Sequence, residues 1–240
     1  MKNDMFIIHI PHSSLEMPNM FLEKLILPLD YIQKENMFIS DYLIDKFIPN
    51  DFKNIVKFGY SRLFCDVERY LDDDMEKMAE IGMGTLYTKD SNGSIFIKYD
   101  NEYKENVIKT YYKRHHNKLN NITKKILNKY GKCYIIDFHS FSDEFVYKVL
   151  SLKDTPDICI GINESGYDKK LLDLTVNYFK KQGYTVKINY PYSGSLTPNI
   201  KDNNIYSMMI EINKRIYLNN NYNKFYNCMM NYYDKIKKQI

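Results

Sequence analysis

The spacing of hydrophobic positions changes along the chain, and each change predicts an element. Residues 5–11, MFIIHIP, form a short apolar run that stops at a proline, the pattern of a buried strand. Residues 19–27 follow Pro18 and predict a helix. In 37–48 the apolar residues at 38, 39, 43, 44, 47 and 48 have helical spacing, with Ser40 or Asp41 near the start. Residues 54–58 and 62–67 predict strands on either side of a turn at Gly59. Clustered acids, the Gly82 and Gly84 pair and a Ser-Asn-Gly turn predict a long loop with a hairpin over 72–100.

The clearest helix covers 102–130, where Ile108, Tyr112, His115, Leu119, Ile122 and Ile126 step by three and four until Gly131 stops it. CYIIDFHS, 133–140, is apolar except toward its C-terminal end, as expected of a central strand covered on both faces. Strands are expected at 157–162 and 185–191 and a helix at 167–182. Residues 208–218, MMIEINKRIYL, are apolar around Glu211, and an amphipathic helix begins near 222 through Phe225, Cys228, Met229, Tyr232 and Ile236. Alternation of strands and helices predicts an α/β fold in three layers: a mainly parallel or mixed central sheet with helices on both faces. No repeat or linker divides the chain, so residues 1–240 are read as a single domain.

Composition removes several classes. Hydrophobic residues at 44% and charged residues at 27% exclude disorder and small disulfide scaffolds. No apolar run reaches the roughly 18–20 residues of a membrane span, and the N-terminal run is too short for a signal peptide. The four cysteines show no CxxC spacing and read as buried thiols, in keeping with a reducing compartment, and a cytoplasmic location is expected. Cations and anions, 34 against 30, are too evenly matched and too interleaved to point to nucleic acid. Only four of those cations are Arg, and two of them, Arg62 and Arg69, lie in SRLFCDVER. A planar guanidinium grips a carboxylate with two parallel bonds, a task lysine does not perform.

Candidate chemistry sits at strand ends. His12 follows the first strand in PHSS, and His139 lies near the C-terminal end of the best strand in DFHSFS. In open α/β sheets ligands bind outside the carboxyl ends of the strands, so two such imidazoles can converge on one metal ion. Catalytic zinc commonly takes two His and one carboxylate and keeps an open position. Glu16, Asp41 and Asp45 are all candidates for the carboxylate. Asp137 alternates onto the face of His139 and can orient an imidazole. Glu211 inside MMIEI is costly to bury unless paired, protonated or bound to a ligand, which makes it a candidate general base. Of the remaining histidines, His9 reads as core, His115 as a packed helix residue and His116 as its cleft-facing neighbour.

The stretches IPHSSLEMP, SDYLID, SRLFCDVER, GMGTLYT, YYKRHH, IIDFHSFS, PDICIG, NYPYSGSLTP and MMIEINKRIYL, in that order over about residues 6–218, resemble the N-formylglutamate amidohydrolase family, which is related in fold to zinc carboxypeptidases and aspartoacylases. The resemblance implies a zinc-carboxypeptidase-like fold and a zinc-dependent hydrolase acting on the amide bond of a small N-acyl amino acid, with N-formyl among the candidate acyl groups. It implies His12, Asp41 and His139 as ligands of Zn2+, with Asp41 matching better than Glu16. Glu211 becomes the general base and acid, and His116 a further catalytic residue. Arg69 and Arg62 hold the substrate carboxylate, with Ser193 and Gly194 as a pocket wall. Two positions depart from the family pattern: Glu68 stands where Asn is common, and Asn163 where an acid is frequent. They motivate an alternative, a non-catalytic binding protein on a decayed hydrolase scaffold.

Overall fold

The computed structural model describes residues 2–218 and 221–240. These fall into two compact units: residues 1–10, 43–57 and 119–240, and residues 11–42 and 58–118.

The first unit carries a six-stranded mixed sheet, ordered β2-β1-β3-β6-β4-β5, among the described residues. The strands are β1 (Phe6–Ile10), β2 (Ile55–Lys57), β3 (Cys133–Phe141), β4 (Ile158–Gly161), β5 (Val186–Ile188) and β6 (Ile205–Asn213). β4 runs antiparallel to β6, and the other pairings are parallel. β3 is central and buried at every residue, as its near-continuous apolar run requires.

Alternation along the strands gives the sheet two different faces. Phe6, Ile8, Ile10, Tyr134, Ile136, Phe138, Met208, Ile210 and Ile212 line one, which is apolar throughout. It packs under α6 (Lys169–Lys181) and α7 (Tyr222–Gln239) through Leu171, Phe179, Phe225, Met229, Tyr232 and Ile236. The other face begins apolar, with Ile7, Cys133, Ile135 and Ile205 against Leu119 and Ile126 of α4 (Lys113–Tyr130). It turns polar toward the C-terminal ends of β3 and β6, where Asp137, His139 and Glu211 follow. Helices thus cover both faces of the sheet in the expected layers. Each fully buried Leu, Ile or Phe contributes roughly 1.5–3 kcal/mol, so these two apolar layers account for most of the driving force.

The second unit holds α1 (Asn19–Leu22), α2 (Leu29–Ile39), α3 (Asn101–Val107) and the first residues of α4. Its core is aromatic: Phe21 meets Phe64 and Phe96 edge to face, and Phe64 meets Tyr111 at 4.8 Å. The isolated bridge Lys89↔Ile95 supplies the expected hairpin, and a second bridge, Leu25↔Ile97, ties it to the segment after α1.

Four expectations need correction. The helix expected at 19–27 ends at Leu22, since Leu25 pairs with Ile97. The helix expected at 37–48 is α2, displaced toward the N-terminus. Pro28 starts it, extended Ser40 ends it, and Leu43 in the left-handed region (φ 64°) separates it from a short 3-10 turn over Ile44–Phe47. Residues 62–67 form a turn rather than a strand, because the amides of Phe64 and Cys65 both bond to the Ser61 carbonyl. The helix at 102–130 is interrupted by a π turn over Ile108–Tyr112, which shifts the buried stripe so that His115, Leu119 and Ile126 are buried while Tyr112 is half-buried. The helix α5 (Asp143–Leu150), capped by Ser142, had no sequence expectation.

All of the cysteines are buried free thiols, and burial pushes Cys133 up to about 12. No described helix is long and apolar enough to cross a membrane.

Candidate active site

In the sheet unit, polar residues collect where the strands end. Register fixes their neighbours: His9 on β1 stands beside Asp137 on β3, and His139 on β3 stands beside Glu211 on β6. Residues paired this way project from the same face. Asp137 is buried between two imidazoles, with His9 Nδ1 at 2.7 Å and His139 Nε2 at 3.0 Å from its Oδ1. Its Oδ2 accepts from the Leu196 amide at 3.0 Å. Burial raises the Asp137 carboxyl, but His139 and His9 outweigh it and hold the group well below the usual carboxylate range. His9, expected as core, is fully buried and also serves as a partner of Asp137. Glu211 is 7% exposed and has Cys159 as its register neighbour on the other side. Burial, and after it the Glu211 charge, push the Cys159 thiol up to about 12.

The loop carrying Ser193 and Gly194 lies over β4. A Cβ on Gly161 would come within 2.1 Å of the Gly194 carbonyl, so only glycine permits this approach. Asn163 clamps the loop, donating to the Ser195 carbonyl at 3.0 Å and accepting from the Ser195 amide at 3.2 Å. An acid would accept but not donate, so the amide at this position follows from the loop's geometry. Ser193 itself is exposed.

The second unit builds its polar cluster on Asp66, which is fully buried. Asp66 Oδ1 accepts from His12 Nε2 at 2.8 Å and from the Glu68 amide at 3.1 Å. Its Oδ2 accepts from Arg62 Nη2 at 2.8 Å, Arg62 Nε at 3.2 Å and the Tyr87 hydroxyl at 2.9 Å. Arg69 Nε lies 3.5 Å from the same oxygen. Burial raises the Asp66 carboxyl, but His12, Arg62 and Arg69 together hold it well below the usual range. Burial, then the charge of Arg62, lowers His12 and favours its neutral form.

Asp41 is 1% exposed, and its amide donates to the His12 carbonyl at 2.9 Å. His12 Nδ1 lies 3.8 Å from Asp41 Oδ2 and 3.7 Å from Glu68 Oε2. The other carboxylate candidates lie elsewhere: Glu16 is exposed and Asp45 pairs with Lys57 at 2.7 Å. Asn36, 2% exposed, fixes the surrounding backbone by donating to the Leu15 carbonyl and accepting from the Ser40 and Ser61 hydroxyls.

The turn that carries Asp66, Glu68 and Arg69 is held from the helix beyond it. Tyr112 donates to the Arg69 carbonyl at 2.9 Å, and His116 Nε2 meets the Val67 carbonyl at 2.7 Å with its ring tilted against Tyr112. These two residues are one helical turn apart and share a face. His115 is buried edge-on against Phe58.

Asp66 and Tyr87 are the residues that sequence reasoning missed. The available signal was the position of Asp66 between the scarce arginines of SRLFCDVER.

A sequence profile of the family described as N-formylglutamate amidohydrolase matches residues 5–218. Among solved structures, the chain is similar to an N-formylglutamate amidohydrolase from Ralstonia eutropha JMP134, with TM-score 0.84 and 18% identity over 98% of this chain and 93% of that one. It is also similar to a gene product of Agrobacterium tumefaciens, with TM-score 0.71 and 17% identity over 98% and 94% of the two chains. At such identities the likeness is one of fold. A search of curated proteins gives no significant match.

Proposed function

Because the chain belongs to the N-formylglutamate amidohydrolase family, and so to the amidohydrolases, we propose that it hydrolyses the amide bond of an N-acyl amino acid, N-formyl first among them, as a zinc enzyme. His12, Asp41 and His139 would hold the ion, and a relation to the zinc carboxypeptidases belongs to the same reading. The donor chemistry fits. Both imidazoles have Nε2 against a buried carboxylate, Asp66 for His12 and Asp137 for His139. A carboxylate there fixes the tautomer, turns the Nδ1 lone pair toward a metal and raises its basicity. Two ligands of one tetrahedral zinc ion stand roughly 3.3 Å apart, close to the 3.8 Å between His12 Nδ1 and Asp41 Oδ2.

A zinc ion held by His12, Asp41 and His139 would supply Lewis acidity and lower the pKa of a bound water to about 7. Glu211 takes the proton of the attacking water and passes it to the leaving nitrogen. Arg69 grips the substrate carboxylate and so sets the distance to the scissile bond. Arg62, whose Nε and Nη2 are both committed to Asp66, acts through that carboxylate. His116, the further candidate catalytic residue, also holds the Arg69 turn in place together with Tyr112, and Ser193 and Gly194 form a wall. The observation that carries the reading is the placement of Glu211 beside His139, one strand over, at the polar end of the sheet.

The test is release of the acid from N-formyl and N-acetyl amino acids. Protein loaded with zinc is expected to cleave at least one of them. Chelated protein is expected to lose that activity and regain it on zinc addition. Equal turnover with and without chelator would remove zinc from the reaction.

A further inference from the structure

Asp66 Oδ2 is crowded with donors, and which of them reach it decides what Arg69 can do. Arg62 Nη2 stands at 2.8 Å, the Tyr87 hydroxyl at 2.9 Å and Arg62 Nε at 3.2 Å. A carboxylate oxygen offers about two lone-pair sites, so these donors saturate it. Arg69 Nε is left at 3.5 Å, outside the usual N–H···O range, and makes no hydrogen bond among the described residues. Arg69 Nη1 stays 3.9 Å from Glu76. Charge holds Arg69 in place without occupying its donors, whereas Arg62 commits both Nε and Nη2 to Asp66.

Tyr87 supplies the one uncharged side-chain donor at this oxygen, and it is fully buried. Burial raises its phenol and Arg62 opposes that; Arg69 lowers it too, so the two side chains act on each other directly. The main chain around both is fixed by other bonds. The Asp66 amide donates to the Thr85 carbonyl at 2.8 Å, the Thr85 hydroxyl to the Tyr70 carbonyl at 2.8 Å, and the Tyr99 hydroxyl to the Leu86 carbonyl at 3.0 Å. The Tyr87 hydroxyl therefore acts on the side chains at Asp66 rather than on the path of the turn.

We propose that Tyr87 is a positioning residue for Arg69: by occupying Asp66 Oδ2 it keeps Arg69 from closing onto that carboxylate, and the guanidinium fork stays available to the carboxylate of the substrate. This rests on the amidohydrolase reading above, with Arg69 as the anchor of the substrate, and deepens it.

Tyr87→Phe keeps the buried ring and deletes the hydroxyl. Arg69 is then expected to close on Asp66 and to grip substrate less well. An N-formyl amino acid and its carboxamide are nearly isosteric and differ in the charge that Arg69 meets. On zinc-loaded protein, Tyr87→Phe is expected to raise KM for the carboxylate compound about tenfold, the size of one charge-assisted hydrogen bond, and to change kcat/KM for the carboxamide by about twofold or less. In an Arg69→Ala background the same substitution should alter neither compound. Labelling of metal-free protein with phenylglyoxal gives a second readout, in which Arg69 is expected to react several-fold more slowly in Tyr87→Phe, with the exposed Arg114 as internal reference. Equal losses on both compounds, a full effect of Tyr87→Phe without Arg69, or an unchanged labelling rate overturns the role of Tyr87 and leaves the hydrolase reading intact. Failure of the zinc-loaded wild type to cleave any N-formyl or N-acetyl amino acid refutes both.

Discussion

Glu211→Gln is expected to fold normally, keep its zinc and lose about 10²–10⁴-fold in kcat. The substitution keeps the shape of the side chain and removes its basicity. Glu211 sits on β6 between His139 of β3 and Cys159 of β4, and it is nearly fully buried. A buried acid in a largely apolar strand costs folding free energy unless it is paired, protonated or bound to a ligand. The amide is neutral and is cheaper to bury, so the variant's melting temperature should match or exceed that of the wild type. Loss of turnover with stability retained would separate a chemical role from a structural one. A Glu211→Gln protein with wild-type kcat would take Glu211 out of the reaction.

Asp66→Ala is expected to be the most destabilising single change in the second unit, by about 3–5 kcal/mol in urea unfolding, because removing one partner strands the others as uncompensated buried charge. The Asp66 side chain is fully buried and serves His12, Arg62 and Tyr87 at hydrogen-bond distance. Asp66→Asn should be milder, since its oxygen still accepts one of these bonds. Asp66 is a positioning residue for His12, so the Asn variant should also bind zinc about 10–100-fold more weakly, read by competition with a chromogenic chelator. Zinc affinity equal to wild type in Asp66→Asn would show that the carboxylate does not orient His12.

Much of the sheet unit was legible because period-2 alternation survives burial. CYIIDFHS reads as a covered strand with a polar end, and that is what β3 is, with Asp137 and His139 on the face where alternation puts them. Glu211 stood out because apolar residues flank it on both sides in MMIEI. The antiparallel pairing of β4 with β6 was not legible beyond a mixed sheet as one alternative. Strand direction depends on the path of the connecting chain, which hydrophobic spacing does not encode.

The second unit was harder to read, since much of its order comes from side chain–backbone bonds over long separations. Asn36 links α2, the His12–Glu16 stretch and the turn at Ser61, and no periodicity announces such a knot. The misplaced helix at 37–48 has a local origin. Its apolar residues have helical spacing, but the left-handed Leu43 breaks the run. Asn163 looked like a departure from a family pattern, and its meaning emerged only once the amide was seen to pair with the Ser195 peptide from both sides.

Zinc content of the purified protein and two variants tests the central claim most directly. After loading and desalting, the wild type is expected to retain one zinc ion per chain by elemental analysis. His12→Ala and His139→Ala, altered in different units of the chain, are each expected to lose it while remaining folded by circular dichroism. Full zinc retention in either variant, or no zinc in the loaded wild type, would contradict a single ion shared by these two imidazoles.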